Sequence, residues 1–252
     1  MKFNKKVIEY LNGNQFDNGL YIDISKEEKT ILSRHEKILN LVKGKSVIHL
    51  GCCDHIPLIK EKIDNDLWLH KKITDVSKEC IGVDINSEGI DFLKSELGYD
   101  NVICNDITSD DIEKLSKQKW DYIIIGEILE HVNNPVQFLN DIVKKYGHLI
   151  SNFLITVPNA FSMTNFKGVK KGQEIINTDH RYWFSPFTLA KVGYEAGLEI
   201  EEFFFVFDTV NTKVGLKAKL LLIPYLIRRS RIRKLLKFPA FREGILAIFK
   251  PF

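Results

Sequence analysis

What this 252-residue chain lacks narrows it first. No run approaches the roughly 18 apolar residues that a membrane-crossing helix needs, and the opening MKFNKKVIEYLNGN holds no long apolar stretch of the kind a secretory leader requires. Both absences predict a cytoplasmic location. Cysteine is scarce: Cys52, Cys53, Cys80 and Cys104 form no CxxC pair and no zinc-knuckle spacing, and they lie in or beside apolar runs. Adjacent cysteines such as Cys52 and Cys53 rarely meet disulfide geometry, so buried reduced thiols are expected. Only 7 Pro and 15 Gly against 44% hydrophobic residues exclude collagen, low complexity and disorder. No GxGxxG occurs, which removes the dinucleotide fingerprint.

What is there has the rhythm of a parallel α/β sheet. Five apolar runs, Ser46–Leu50, Cys80–Ile85, Asn101–Cys104, Trp120–Ile125 and Leu149–Val157, alternate with helical stretches at Leu67–Lys78, Ser87–Leu97, Ser109–Lys117 and Pro135–Tyr146. Pro135 suits a first helical turn. Farther on, Ser185-Pro186 reads as a helix start, Gly197 as its stop, Leu198–Phe207 as a sixth strand and Gly244–Lys250 as a seventh. Residues 1–42 read as a polar helical cover.

In such sheets ligands bind beyond the carboxyl ends of the strands. The first strand runs into VIHLGCCDH, where Gly51 supplies a tight turn and a close backbone approach. Asp84 ends the second strand, where an acid can accept from both hydroxyls of a ribose. Asp106 follows the third strand and can meet an adenine amine.

After the fourth strand stands Gly126-Glu127-Ile128-Leu129-Glu130-His131-Val132-Asn133-Asn134-Pro135, followed by LITVPNAFS at 154–162 and DHRYWFSPFTLAKVGYEAGLEI at 179–200. With these motifs in this order, residues 45–207 resemble the class I S-adenosylmethionine-dependent methyltransferases, in particular the broad group with a GExxEHxxNP-like segment. The resemblance implies a Rossmann-like seven-stranded, mostly parallel sheet with helices on both faces. It also implies S-adenosylmethionine as cofactor, held by His49, Gly51, Cys52, Asp84, Ile85, Asp106, Ile107, Gly126 and Glu127. One departure stands out: where the family's first motif has an acid and further glycines, this chain has His49, Cys53 and His55.

Methyl transfer from a sulfonium is an in-line displacement, so the protein mainly aligns donor and acceptor and excludes water. A hydroxyl acceptor also needs a base, and His131 at the rim of the fourth strand is placed to be one, unless it merely caps the next helix. Glu127 and His180 complete the candidate catalytic set. Glu127, Glu130, His131 and His180 also resemble the metal-binding set of ubiquinone-pathway O-methyltransferases and small-RNA 2′-O-methyltransferases, although metal-independent relatives carry the same Glu-His pair. A divalent metal is therefore allowed but not favoured. Tyr182-Trp183-Phe184 offers an acceptor wall or core packing. His35, His70 and His148 are read as packed or solvated, without convergent partners.

Between Thr209 and Arg242 stand ten Lys or Arg and no acid, interleaved with LLLIPYLI. The net charge of +3 therefore conceals +10 in this stretch against −7 elsewhere. A cationic insertion of this kind, residues 213–237 above all, suits the anionic inner membrane surface as a peripheral contact, a solvated helical cap or, less readily, nucleic acid. The expectation is one domain: a cover (1–42), a cofactor-binding core (43–207), a basic insertion (208–242) and a last strand (243–252). Its expected activity is O-methylation of a small molecule, sugar or glycan or lipid-linked intermediate. The alternatives are metal-assisted 2′-O-methylation of RNA and a non-catalytic cofactor-binding scaffold.

Overall fold

The computed structural model describes residues 1–25, 33–54, 56–208 and 238–252. Most of the cationic insertion, 209–237, lies outside the described residues, as do 26–32 and His55. Seven strands form one sheet in the order β3-β2-β1-β4-β5-β7-β6. They are β1 (Ser46–Leu50), β2 (Glu79–Asp84), β3 (Val102–Cys104), β4 (Trp120–Gly126), β5 (Ile150–Pro158), β6 (Leu198–Val206) and β7 (Gly244–Pro251). The first five pair in parallel, and β7 runs antiparallel between β5 and β6.

Period-two alternation explains why both faces are buried. Ile48, Ile123, Ile125, Phe153, Ile155, Ala247 and Phe249 enter the core on one face, and Val47, Ile124, Leu154, Leu246 and Ile248 enter the core on the other. Helices α7 (Pro135–Tyr146) and α9 (Pro186–Glu195) cover the first face through Leu139, Ile142 and Leu189. Helices α2 (Arg34–Val42) and α4 (Leu69–Val76) cover the second through Ile38, Val42 and Ile73. Helix starts follow the sequence signals: Asn134 caps α7 ahead of Pro135, and Ser185 caps α9 ahead of Pro186. The N-terminal cover holds α1 (Lys5–Leu11), which packs on α9 through Val7, Leu11 and Ala190, and α2.

Several expectations are corrected. Helix α3 (Ile56–Asp64) and helix α8 (Met163–Val169) have no counterpart among the predicted elements. The helix expected over 109–117 shrinks to α6 (Glu113–Ser116), because the chain before it is spent on turns: Asp106 accepts from Thr108 N and Asp110 accepts from Asp106 N. Between β2 and β3 lies α5 (Ser87–Ser95). Cys104 is exposed rather than buried, because β3 is the edge strand and Cys104 its last residue; Cys52, Cys53 and Cys80 are buried free thiols. None of the described helices is long and apolar enough to cross a membrane.

Candidate active site

Strand order reverses between β1 and β4, and the crevice opens at their carboxyl ends. Gly51 turns the chain out of β1 with φ +70°, and a Cβ there would lie 3.2 Å from Ile128 Cδ1. The left-handed turn therefore favours glycine, and a Cβ would also press on the Ile128 side chain. Asp84 ends β2 with Oδ2 accepting from Cys53 N at 2.9 Å and Oδ1 accepting from Asn86 N at 3.0 Å. Each oxygen keeps a lone pair for a ligand. Beside it, Ile85 is 76% exposed at the mouth. Asp106 Oδ1 accepts from Thr108 N and Oγ1, and the Thr108 hydroxyl holds its carboxyl below the usual range. Ile107 is buried in the core.

A cavity of about 300 Å³ extends inward from this mouth, lined among others by Arg34, His49, Gly51, Trp68, His70 and Glu127. His49, expected to meet the cofactor, is 4% exposed and pairs with His70, Nδ1 to Nδ1, at 3.2 Å. The expectation that His70 lacks a convergent partner is thus wrong. The two rings stack 14° from parallel, so one imidazole donates and the other accepts, and both are neutral. Burial lowers both, His70 to about 4. Gly82 makes room: a Cβ there would come within 2.7 Å of Cys52 Sγ and 2.8 Å of His70 Cε1. Cys52 is buried, with its carbonyl accepting from Trp68 Nε1. His35, also at the cavity, is lowered to about 3 by burial.

Gly126 closes β4, and Glu127 follows at φ +54°. Its Oε1 accepts from Thr156 Oγ1 at 2.9 Å and stands 3.5 Å from Arg34 Nη1. Burial pushes the Glu127 carboxyl up while Arg34 opposes. Arg34 carries no motif that sequence reading could find; it enters the site because Ser33 caps α2 at the mouth, and its Nε is buried without a hydrogen-bond partner.

The segment 177–184 folds onto the residues after β4. Arg181 N donates to Glu130 O at 2.7 Å, Arg181 Nη1 donates to His131 O, and Tyr182 Oη donates to Asn133 O at 2.6 Å. This docking brings Asp179 Oδ2 within 2.8 Å of His131 Nδ1 and sets the His180 ring edge-on to His131 at 4.6 Å. Asp179 lies inside the DHRYWF motif, where the sequence alone assigns it no role. Glu130 is fully buried, and neither of its oxygens has a hydrogen-bond partner; His180 Nδ1 is likewise buried and unpartnered. His131 Nε2 lies 3.9 Å from Glu130 Oε1. Burial, with the Glu127 charge adding, pushes the Glu130 carboxyl up to about 8, so it is largely protonated at neutral pH. Glu130, His131 and His180 converge within 4.8 Å, while Glu127 turns to Thr156 and Arg34 instead.

Residues 67–149 match a family model described as a methyltransferase domain, beginning after the altered first motif. No curated protein matches. Among solved structures, the small RNA methyltransferase HEN1 is 16% identical, with 90% of this chain and 27% of that one covered and a TM-score of 0.52. A SAM-dependent methyltransferase from Archaeoglobus fulgidus is 22% identical over 86% of this chain and 91% of its own, with a TM-score of 0.47. Magnesium protoporphyrin IX methyltransferase from Synechocystis, with SAH bound, is 12% identical over 86% and 82%, at 0.48. The sheet order, the crevice and the matched segment define a Rossmann-like methyltransferase fold. The matched segment and the shared fold make this chain similar to the methyltransferases.

Proposed function

We propose that the protein is a class I S-adenosylmethionine-dependent methyltransferase that transfers the cofactor's methyl group to a hydroxyl oxygen of a small molecule, sugar or glycan or lipid-linked intermediate, with His131 as the base. The observation that carries this reading is the Asp179–His131 pair: the 2.8 Å bond at Nδ1 fixes ring and tautomer and directs Nε2 to the other side. A carboxylate behind an imidazole also stabilises the imidazolium formed as the acceptor proton is taken. Gly51, Asp84, Ile85 and Gly126 form the cofactor's seat, with Asp84 on the ribose and Ile85 against the adenine ring. Arg34, which stands 3.5 Å from Glu127 and 3.6 Å from Asp208 at the crevice, meets the carboxylate at the amino-acid end. His49 contributes from behind, as packing, through its bond to His70.

A second reading is favoured by the unpartnered atoms of Glu130 and His180. A buried carboxylate with two open oxygens and two imidazoles is a donor set suited to a borderline divalent ion. Glu130, His131 and His180 would hold it, without Glu127, and such an ion lowers the pKa of a hydroxyl bound to it.

Labelled S-adenosylmethionine offered with sugar nucleotides, lipid-linked glycans and small RNAs identifies the acceptor. Calorimetry and turnover then separate the roles: Asp84→Ala abolishes cofactor binding, whereas His131→Ala spares it and slows transfer by about a hundredfold or more. Full activity in both variants overturns the assignment. Methylation confined to RNA 2′-hydroxyls overturns the substrate class.

A further inference from the structure

Helix α8 is flanked by two apolar troughs that share Ala160, Asn165 and Val169, each of about 490 Å³. Ile24, Phe161, Phe166 and Phe241 line one trough, and Ile175 and Trp183 line the other. The surface is open and greasy: Val169 is 74% exposed, Ile175 51% and Phe166 49%. Scattered apolar side chains are ordinary on a protein surface, but a contiguous set around one helix marks a binding face. The walls are ordered, since Gln173 N donates back to Gly168 O and Ala160 N donates to Phe184 O.

Two observations indicate what occupies the face. The first is continuity with the reacting groups: Trp183, a wall of one trough, meets the His180 ring edge-on at 6.3 Å, and His180 meets His131 at 4.6 Å. The second is charge. Lys167, Lys170 and Lys171 are exposed on and just after α8, Lys170 with its ammonium 5.7 Å from the Phe166 ring centroid, against the single acid Glu174 in the lining. Apolar troughs whose wall Trp183 contacts His180 beside His131, and whose helix carries exposed lysines, suit one molecule carrying a hydrocarbon chain, an anionic group and a hydroxyl.

We infer that the α8 troughs bind the hydrocarbon chain of an anionic amphiphilic acceptor, with the lysines meeting its anionic group and the hydroxyl presented at His131. This rests on the O-methylation reading and narrows its substrate class to single amphiphilic molecules.

The test is equilibrium binding, independent of turnover. Hexyl, octyl and decyl phosphate, each below its micellar concentration, are titrated into full-length protein saturated with S-adenosylhomocysteine. Inorganic phosphate and anionic vesicles form separate arms. Each buried methylene strengthens binding by up to about fourfold, so affinity rises steeply from six to ten carbons. Val169→Asp and, independently, Ile175→Asp place a carboxylate in the trough and reduce decyl phosphate affinity at least tenfold, while S-adenosylhomocysteine affinity, the check on folding, is unchanged. Affinity independent of chain length, or equal for inorganic phosphate, overturns the inference. So does binding to vesicles alone, which would make the face a membrane contact, or a self-association that Val169→Asp abolishes, which would make it a contact between copies. Loss of the catalytic reading is seen separately, as an undiminished rate in His131→Ala with chain-dependent binding intact.

Discussion

The buried imidazole pair behind the cofactor crevice ties stability to pH in a window set by the shift at His70. His70 is fully buried on α4, Nδ1 to Nδ1 with His49 across the β1–α4 contact and packed near Trp68 and Tyr99. Burial lowers it from 6.5 to about 4. Between those values the unfolded chain binds a proton that the folded chain refuses, so stability is fully present above pH 6.5 and is lost as pH falls toward 4. A displacement of that size corresponds to roughly 3 kcal/mol for His70 alone, and His49 adds in the same direction. His70→Phe keeps a flat ring of similar volume but cannot titrate. At pH 7 it costs about 1–3 kcal/mol, since His49 loses its hydrogen-bond partner. On acidification that deficit shrinks, because the wild type loses up to about 1.4 kcal/mol per pH unit more than the variant between pH 6 and 4.5. Urea unfolding at closely spaced pH values, with unchanged m-values, measures the difference. Parallel pH profiles for the two proteins refute the reasoning.

Gly82→Ala drives a methyl to 2.7 Å from Cys52 Sγ and destabilises by about 1–3 kcal/mol in denaturant melts, part of which Cys52→Ala recovers; a neutral single variant contradicts so tight a contact between β2 and the turn after β1. Asp179→Asn frees the His131 ring, slowing transfer by about tenfold or more without altering S-adenosylhomocysteine affinity by calorimetry, and an unchanged rate removes Asp179 from the mechanism. Under the divalent-ion reading, Mn²⁺ or Mg²⁺ at a hundred times its dissociation constant stabilises the wild type by about 2.7 kcal/mol, reversibly with chelator, whereas Glu130→Gln gives no shift. A wild type that ignores both ions leaves His131 acting without metal.

How far the sequence carries the fold depends on whether a feature is local. The strands are legible because each face of the sheet is buried and the apolar alternation on β1, β4, β5 and β7 is nearly unbroken. The starts of α7 and α9 are legible because Asn134-Pro135 and Ser185-Pro186 are self-contained signals. Helix α3 escapes because it follows the altered first motif so closely that Ile59 and Ile63, four apart, read as part of the turn. Helix α8 has a single buried residue, Gly168, so it offers no apolar stripe to find.

The site divides along the same line. The Glu130 and His131 pair stands in one motif and His180 in another, and both can be named as chemistry-bearing. What no periodicity encodes is that the second motif closes on the first, with Arg181 and Tyr182 donating to three carbonyls around His131. That closure accompanies a fully buried Glu130 whose oxygens lack hydrogen-bond partners, beside a His131 that stays partly exposed. The same dependence on distant pairing explains His70: only the register that sets His49 opposite Gly82, where the missing side chain leaves space, lets an α4 imidazole reach β1. The altered first motif is therefore part of a repacked wall. His49 and Cys53, two of the three residues at which this chain departs from the expected first motif, pack with His70, Cys52 and Trp68, beside the turn at Gly51 and the Asp84 carboxylate.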